Sequence, residues 1–366
     1  MKRSMGLEML PALHGDALLL RWHDGRRPRQ LLVDGGPIGA YGALRAAIDA
    51  LPGQRLELVV LSHVDTDHVD GLLRLFAEPT PWPFSVADVW FNGWTHLIEA
   101  GAQERLGGKQ GEFFAALIQQ RLPPDTWNRA FGGHAVRVPA TGALPEVTLP
   151  GGLKLTLLSP TDEGLVALHR AWRTDLKGQV VPGDFDSAWA ALATQSRYLP
   201  EAGLLGGGAT TRPAGSTRLD AAPANGSSIA FLAEFGRRSA LLLADAHAPV
   251  VCASIRRLLA TRGQSRLRVD AMKLAHHGSR GNTTAELMAL VECPRYLVST
   301  NGDLFGHPDE EALACILASS QPARVQLCFN HLSDTTRAWA DPARQQRLGY
   351  DALFPAPGTE GLAVHW

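Results

Sequence analysis

The strongest constraint on how this chain folds is a pattern that occurs twice. "DALLLRW" (16–22), the polar turn "HDGRRPRQ" and "LLVDGG" (31–36) read as two strands joined by a Gly- and Pro-containing connection. Far downstream, "SSIAFLAEF" (227–235) and "SALLLAD" (239–245) flank the short turn "GRR" and read the same way. Each hairpin opens a half in which strands and helices alternate. After the first come a helix over 41–51, the buried strand "LELVVL" (56–61) and a helix over 71–77. After the second come a helix over 249–261, the strand "VDAMKLA" (269–275), a helix over 283–292 and the strand "RYLVST" (295–300). Two such halves predict two β-sheets face to face with helices outside, an α/β sandwich in one domain. A doubly wound parallel sheet is the alternative, and the hairpins count against it.

Between the halves, "ADVWFNGW" (87–94) reads as a strand end. Residues 111–122 suit a helix, "GLKLTLLSPT" (152–161) a strand with a turn, and "EGLVALHRAW" (163–172) a helix. From about 176 to 226 the periodicity fails, and the Gly-, Ala-, Thr- and Pro-rich 204–226 reads as a mobile loop. The expected organisation is one domain over 1–330 with a mobile insertion around 176–226. Residues 331–366 follow as a C-terminal extension without a readable motif, covering a sheet edge or meeting a partner.

Composition narrows the function classes. Of 366 residues 45% are hydrophobic, enough for a sizeable core, and Lys+Arg 35 against Asp+Glu 36 gives a net charge of −1. No global basic field is present, so a polyanion would have to be met by a local patch or by metal ions. Cys252, Cys293, Cys315 and Cys328 form no CxxC pair, which predicts free thiols in a reducing compartment. The apolar segments near the start are broken by Glu8, Pro11, His14 and Asp16, which does not suit a secretory leader. No uncharged apolar run approaches the roughly 18 residues of a membrane span. The expectation is a cytoplasmic protein with no membrane contact.

Chemistry-bearing residues gather at four strand ends. "HVDTDH" follows "LELVVL" and carries His63, Asp65, Asp67 and His68. Extended backbone puts His63 and Asp65 on one face, and a turn into the next helix brings Asp67 and His68 beside them. Imidazole and carboxylate at this spacing suit zinc, manganese or iron, and two pairs suit two ions. Asp70 reads as the cap of the helix at 71. "LAHHGS" adds His276 and His277, whose side chains diverge as neighbours, so that one ligates while the other contacts a carboxylate or substrate oxygen. Asp245 ends "ALLLAD" as a helix cap or a bridge between cations, and His307 in "GHPD" is a candidate proton donor or phosphate contact. Like charges collected at one sheet edge repel unless a cation is present. Two divalent ions would relieve that repulsion and move the pKa of a shared water toward neutrality.

In this arrangement the sequence resembles the metallo-β-lactamase superfamily, and within it the ComEC-type branch. "LSHVDTDHVDG" is similar to the HxDxDHxxG motif of that branch rather than the commoner HxHxDH. "GDALLL", "LLVDGG", "NGSSIAF", "ALLLAD", "KLAHHGS" and "GHPD" match further motifs in order over residues 6–310. The resemblance implies a metallo-β-lactamase-like αββα sandwich. It makes His63, Asp65, Asp67 and His68 metal ligands and Asp245 the bridging carboxylate, with one of His276 and His277 completing the second site. Asp34 would support the ligand loop from behind. Asn225 or a neighbour stands where many members carry a further histidine, which leaves harder ligation at the first site and suits Mn²⁺ better than an all-histidine site would, beside Zn²⁺.

The function implied is a dinuclear hydrolase, foremost a phosphodiesterase or nuclease in which a hydroxide held between the ions attacks phosphorus. Asp67 belongs to that machinery, with His307 or the non-ligating member of the 276/277 pair on the phosphate or leaving group. Lys273, Arg280, Arg212 and Arg218 are candidate contacts for a nucleic-acid or nucleotide-like substrate, and Ser279 with the Gly278 amide for a non-bridging oxygen. Trp94 is a candidate stacking surface, whereas Trp90 reads as core. Free-standing relatives also occur in bacterial antiphage defence operons, which implies an operon-encoded protein partner. Two other readings stand beside this one: a lactonase or amidase, and a metal-binding sensor or scaffold without turnover.

Overall fold

A computed structural model describes residues 3–101, 109–175, 180–198, 219–320 and 324–366. Two sheets dominate it. The six-stranded sheet has the order Leu362–His365, Ser4–Met9, Leu18–His23, Pro28–Val33, Leu58–Val60, Val89–Trp90. The eight-stranded sheet has the order Tyr350–Leu353, Val325–Phe329, Arg295–Val298, Ala271–Lys273, Arg238–Leu242, Ala230–Phe235, Leu153–Ser159, Glu146–Leu149. Both expected hairpins are present. Leu18–His23 pairs antiparallel with Pro28–Val33, and Ala230–Phe235 with Arg238–Leu242. Parallel pairing then takes over in each sheet, from Pro28–Val33 onto Leu58–Val60 and from Arg238–Leu242 onto Ala271–Lys273.

The two-residue period of a strand decides which core each side chain enters. Leu18, Leu20, Trp22, Leu31, Val33, Leu58 and Val60 join Leu155, Leu157, Phe231 and Leu242 in the core between the sheets. Their alternates Leu19, Leu32 and Val59 turn to the other face and pack with Leu44, Val69, Leu72, Phe76, Phe114 and Leu165 of the covering helices. Helix Ala248–Arg262 covers the second sheet with Val251, Ile255, Leu258 and Leu259, one helical face at i, i+4, i+7 and i+8. The result is an αββα sandwich, the architecture expected from the sequence.

Several boundaries differ from expectation. The helix expected at 71 begins at Thr66, because its apolar spacing already starts at Val69 and continues through Leu72, Leu73 and Phe76. Asp67 and His68 therefore sit in its first turn, where the helix dipole favours an acidic group. Asp70 is consequently inside the helix and caps nothing; it accepts a hydrogen bond from Tyr198 Oη at 2.7 Å and pairs with Arg197. Within the stretch where periodicity fails, 176–179 and 199–218 lie outside the described residues, Arg212 and Arg218 among them. Between them Phe185–Leu192 is helical and buries Ala188 and Leu192. Residues after 330 supply an edge strand to each sheet, Tyr350–Leu353 beside Val325–Phe329 and Leu362–His365 beside Ser4–Met9. No helix among the described residues is long and apolar enough to cross a membrane. The four cysteines are free thiols, three of them buried.

Candidate metal centre

The loop after Pro28–Val33 meets the start of helix Thr66–Ala77 backbone to backbone. Gly35 N donates to His68 O at 2.8 Å and Gly71 N to Gly36 O at 2.9 Å. A Cβ on Gly71 would stand 2.0 Å from Gly35 O, and one on Gly35 2.4 Å from Leu72 N, so both positions require glycine. This contact places Asp34 behind the ligand loop. Its carboxylate accepts from Ser62 N and Ser62 Oγ, each at 2.7 Å, and from His68 Nδ1 at 2.9 Å.

Four imidazoles are then anchored in the same sense. Ser62 Oγ gives its proton to Asp34, so it accepts from His63 Nδ1 at 3.0 Å. His68 Nδ1 donates to Asp34, and His277 Nδ1 donates to Ser299 O at 2.8 Å. His276 Nδ1 faces the Asp220 carboxylate at 3.3 Å and Asn282 Oδ1 at 3.2 Å, both acceptors. With every Nδ1 carrying the proton, every Nε2 presents a lone pair. Those lone pairs converge on a single atom. Asp245 Oδ2 lies 3.9 Å from His63 Nε2, 3.6 Å from His68 Nε2 and 3.8 Å from both His276 Nε2 and His277 Nε2. Asp67 Oδ2 is 3.3 Å from His277 Nε2 and 3.7 Å from His68 Nε2, and Asp65 Oδ2 is 3.6 Å from His63 Nε2.

Lone pairs aimed at a carboxylate repel it unless positive charge lies between them. The electrostatics express that demand. Burial works against charge on His277, yet the Asp245 and Asp16 carboxylates raise its imidazole to about 10. Burial likewise opposes charge on His68 and His276, and the carboxylates around them, Asp245 foremost, push both up. Burial would raise Asp245, but His68, His277 and His276 hold it well below the usual carboxylate range. Three of these Nε2 atoms, on His63, His68 and His277, lack hydrogen-bond partners, as does the other carboxylate oxygen of Asp245, Oδ1. Orphaned polar atoms cost about 1–3 kcal/mol each, so four in one spot call for an occupant. Among the described residues three triads have their ligand atoms within 4.8 Å of one another: His63–His68–Asp245, Asp67–His68–His277 and, behind them, Asp16–Asp34–His68. Nitrogen and carboxylate donors at this spacing fit divalent metal ions.

One sequence expectation fails here for a clear reason. Adjacent side chains normally diverge, yet His276 and His277 both reach Asp245. Both residues adopt left-handed backbone, with φ of 48° and 55°, which turns consecutive side chains toward one side. His307 stands at the margin, its ring 5.2 Å from that of His276 and its Nδ1 3.2 Å from Asp309 Oδ1, and burial lowers its pKa. Asp309 also accepts from Arg280 N at 2.8 Å, and its own N–H donates to Gly278 O at 3.0 Å, docking the two loops. Ser279 Oγ accepts from Gly281 N at 3.2 Å.

Other expected contacts are placed elsewhere. Lys273 is fully buried and donates to Asp16 Oδ2 at 2.6 Å, so it cannot steer a phosphate backbone. Arg280 pairs with Glu311 at 3.1 Å. Trp94 is buried with its ring stacked on His169 at 4.5 Å, and Trp90 is core as expected. Asn225 donates to Asp220 Oδ2 at 2.7 Å. The site also draws on Asp16, Asp220, Asn282 and His14, which sequence reasoning did not single out. His14 packs its ring edge-on to Phe305 at 6.2 Å, and Phe305 lies 6.3 Å from His307. Only the position of Asp16 before a strand carried a signal; Asp220 sits in a stretch whose composition reads as loop.

No family model and no curated protein matches the sequence. Solved structures do match. The chain is similar to the metallo-β-lactamase fold protein YhfI from Bacillus subtilis, at 12% identity and TM-score 0.44, covering 100% of both chains. It is similar to Zn²⁺-bound PqqB from Methylobacterium extorquens at 13% identity and TM-score 0.38, covering 98% of this chain and 99% of that one. It also resembles CmlA, a diiron β-hydroxylase from Streptomyces venezuelae, at 13% identity and TM-score 0.40, with all of this chain spanning 55% of that one.

Proposed function

We propose that the protein is a dinuclear metal-dependent hydrolase acting on phosphodiesters of the nucleotide type. One observation carries the reading: a single oxygen of Asp245 faces four imidazole Nε2 atoms at 3.6–3.9 Å, each held by a hydrogen-bonding partner behind it. His63, Asp65, Asp67, His68, Asp245, His276 and His277 would hold the ions, zinc or manganese, with Asp34 orienting His68. Bound ions supply Lewis acidity toward the phosphoryl oxygens and bring the pKa of a water toward neutrality.

The chain's own residues do the rest. His307 keeps its Nδ1 proton toward Asp309, leaving Nε2 to exchange a proton with a leaving group. The buried Asp16–Lys273 pair stands behind His277 and turns the other Asp16 oxygen toward its Nδ1 at 3.5 Å. Among the described residues Lys273 and Arg280 are committed to carboxylates, which favours a short diester over a long duplex held along its backbone.

The test is direct. Protein loaded with Mn²⁺ or Zn²⁺ is assayed on bis-p-nitrophenyl phosphate, single- and double-stranded DNA, RNA and a lactone panel, beside Asp67→Ala. Diester cleavage that vanishes in the variant supports the proposal. Cleavage of lactones alone, or metal uptake without any turnover, overturns it.

A further inference from the structure

The Asp220–His276 contact goes beyond the ligand set the sequence suggested. His276 and His277 are neighbours in left-handed backbone, a conformation that costs non-glycine residues on the order of 1–3 kcal/mol each. Strain at two consecutive residues persists only where the surroundings impose it. What it achieves is that both Nε2 atoms stand 3.8 Å from the same Asp245 oxygen.

The two rings are held by different partners. His277 is fully buried, donates to Ser299 O, and lies with Asp67 and His68 in one triad. His276 keeps 20% side-chain exposure and Asp65, beside His63, keeps 47%, and the Nε2 atoms of His276 and His63 share Asp245 Oδ2 at 3.8 and 3.9 Å. Behind His276 stands Asp220. Its Oδ2 also accepts from Asn225 at 2.7 Å and Asn282 at 3.1 Å, and its Oδ1 from Ala222 N at 2.9 Å. Asn282 in turn donates to the backbone oxygens of Asp245 and Ala246 at 3.3 and 3.1 Å. Asp220 is thus fixed on three sides by groups that do not face the ions. A carboxylate on the far nitrogen of a metal-facing histidine fixes its tautomer and increases its basicity.

We infer that both adjacent histidines are ligands, His277 to the ion held by Asp67 and His68 and His276 to the ion held by His63 and Asp65, with Asp220 the positioning residue for His276. His276 then supplies the imidazole that the first site lacks where Asn225 stands, and it reaches that site from a distant part of the chain. The inference rests on the dinuclear reading above.

The test reads metal binding rather than turnover. Metal-free protein is titrated with Co²⁺ by calorimetry and visible absorption, with bound metal counted after gel filtration. Wild type is expected to take two ions. His276→Ala is expected to lose one while keeping the other at unchanged affinity, and Asp220→Ala to weaken that same ion about 10–100-fold with a change in its absorption band. Asp220→Asn, which keeps a hydrogen-bond acceptor, should recover part of the loss, and melting of the metal-free forms controls for folding. Two ions bound at wild-type affinity in both His276→Ala and Asp220→Ala overturn the inference and leave the dinuclear reading intact. A wild-type protein that binds no ion overturns both.

Discussion

Lys273 Nζ lies 2.6 Å from Asp16 Oδ2 with both side chains out of reach of solvent. The pair joins the loop ahead of the first hairpin to the strand that leads into His276 and His277. Asp16 Oδ1 faces His277 Nδ1 at 3.5 Å. Removing one member of a buried ion pair strands the other charge, which costs about 3–5 kcal/mol. Lys273→Met is therefore expected to lower the stability of the metal-free protein by that amount in urea unfolding. The double variant Lys273→Met with Asp16→Asn should recover a large part, because no uncompensated charge remains.

Asp34 uses both carboxylate oxygens, one on Ser62 N and the other on Ser62 Oγ and His68 Nδ1. Its backbone φ of 59° is left-handed, which asparagine tolerates better than most residues. Asp34→Asn thus tests the carboxylate without disturbing the turn. Metal affinity is expected to fall about 10–100-fold, read by competition with a chromogenic chelator, while the metal-free fold is retained.

Glu112 is buried in helix Lys109–Arg121, accepts from Gly183 N at 3.0 Å through one oxygen, and has its pKa raised by burial from 4.5 to about 7. Between these values the folded chain holds a proton that the unfolded chain has released. Its contribution is present below pH 4.5 and is lost as pH rises through about 7, by at most about 3 kcal/mol. Glu112→Gln should flatten this dependence and be the more stable protein at pH 8, as shown by denaturant midpoints across pH 4–8.

The Gly35–Gly71 contact leaves no room for a methyl group. Gly71→Ala is expected to cost about 1–3 kcal/mol or more through overpacking and to weaken metal binding, since the same contact positions Asp34 and His68. Gly42 offers the control. It lies in helix Tyr41–Asp49, and a Cβ added there would meet nothing within 4 Å, so Gly42→Ala should stabilise by about 0.5–1 kcal/mol. Thermal melts of the two variants should move in opposite directions.

Much of the architecture was legible because it rests on local periodicity. The short apolar runs in "LLVDGG" and "ALLLAD" announce buried strands, and the acidic and imidazole groups placed after such strands mark the candidate site. What was not legible depends on distance in sequence. Lys273 reads as a surface cation until Asp16, more than 250 residues away, is seen against it. Asp220 is invisible in a Gly- and Ala-rich stretch, because its role comes from Asn225, Asn282 and His276 rather than from neighbours in a pattern. The adjacent histidines mislead for a different reason. Side-chain direction follows φ and ψ, and left-handed backbone at two successive non-glycine residues is not written in their identities.

The strand Leu362–His365 hydrogen-bonds to Ser4–Met9, and Trp366 N donates to Met5 O at 3.1 Å. Ser4–Met9 therefore keeps one edge unpaired until a strand more than 350 residues further along the sequence reaches it. Until then it offers a naked row of amides and carbonyls to any extended chain nearby. Closure by such remote pairing is slow, so the edge of Ser4–Met9 stays open through early folding, and a variant that weakens Leu362–His365 should aggregate more on refolding.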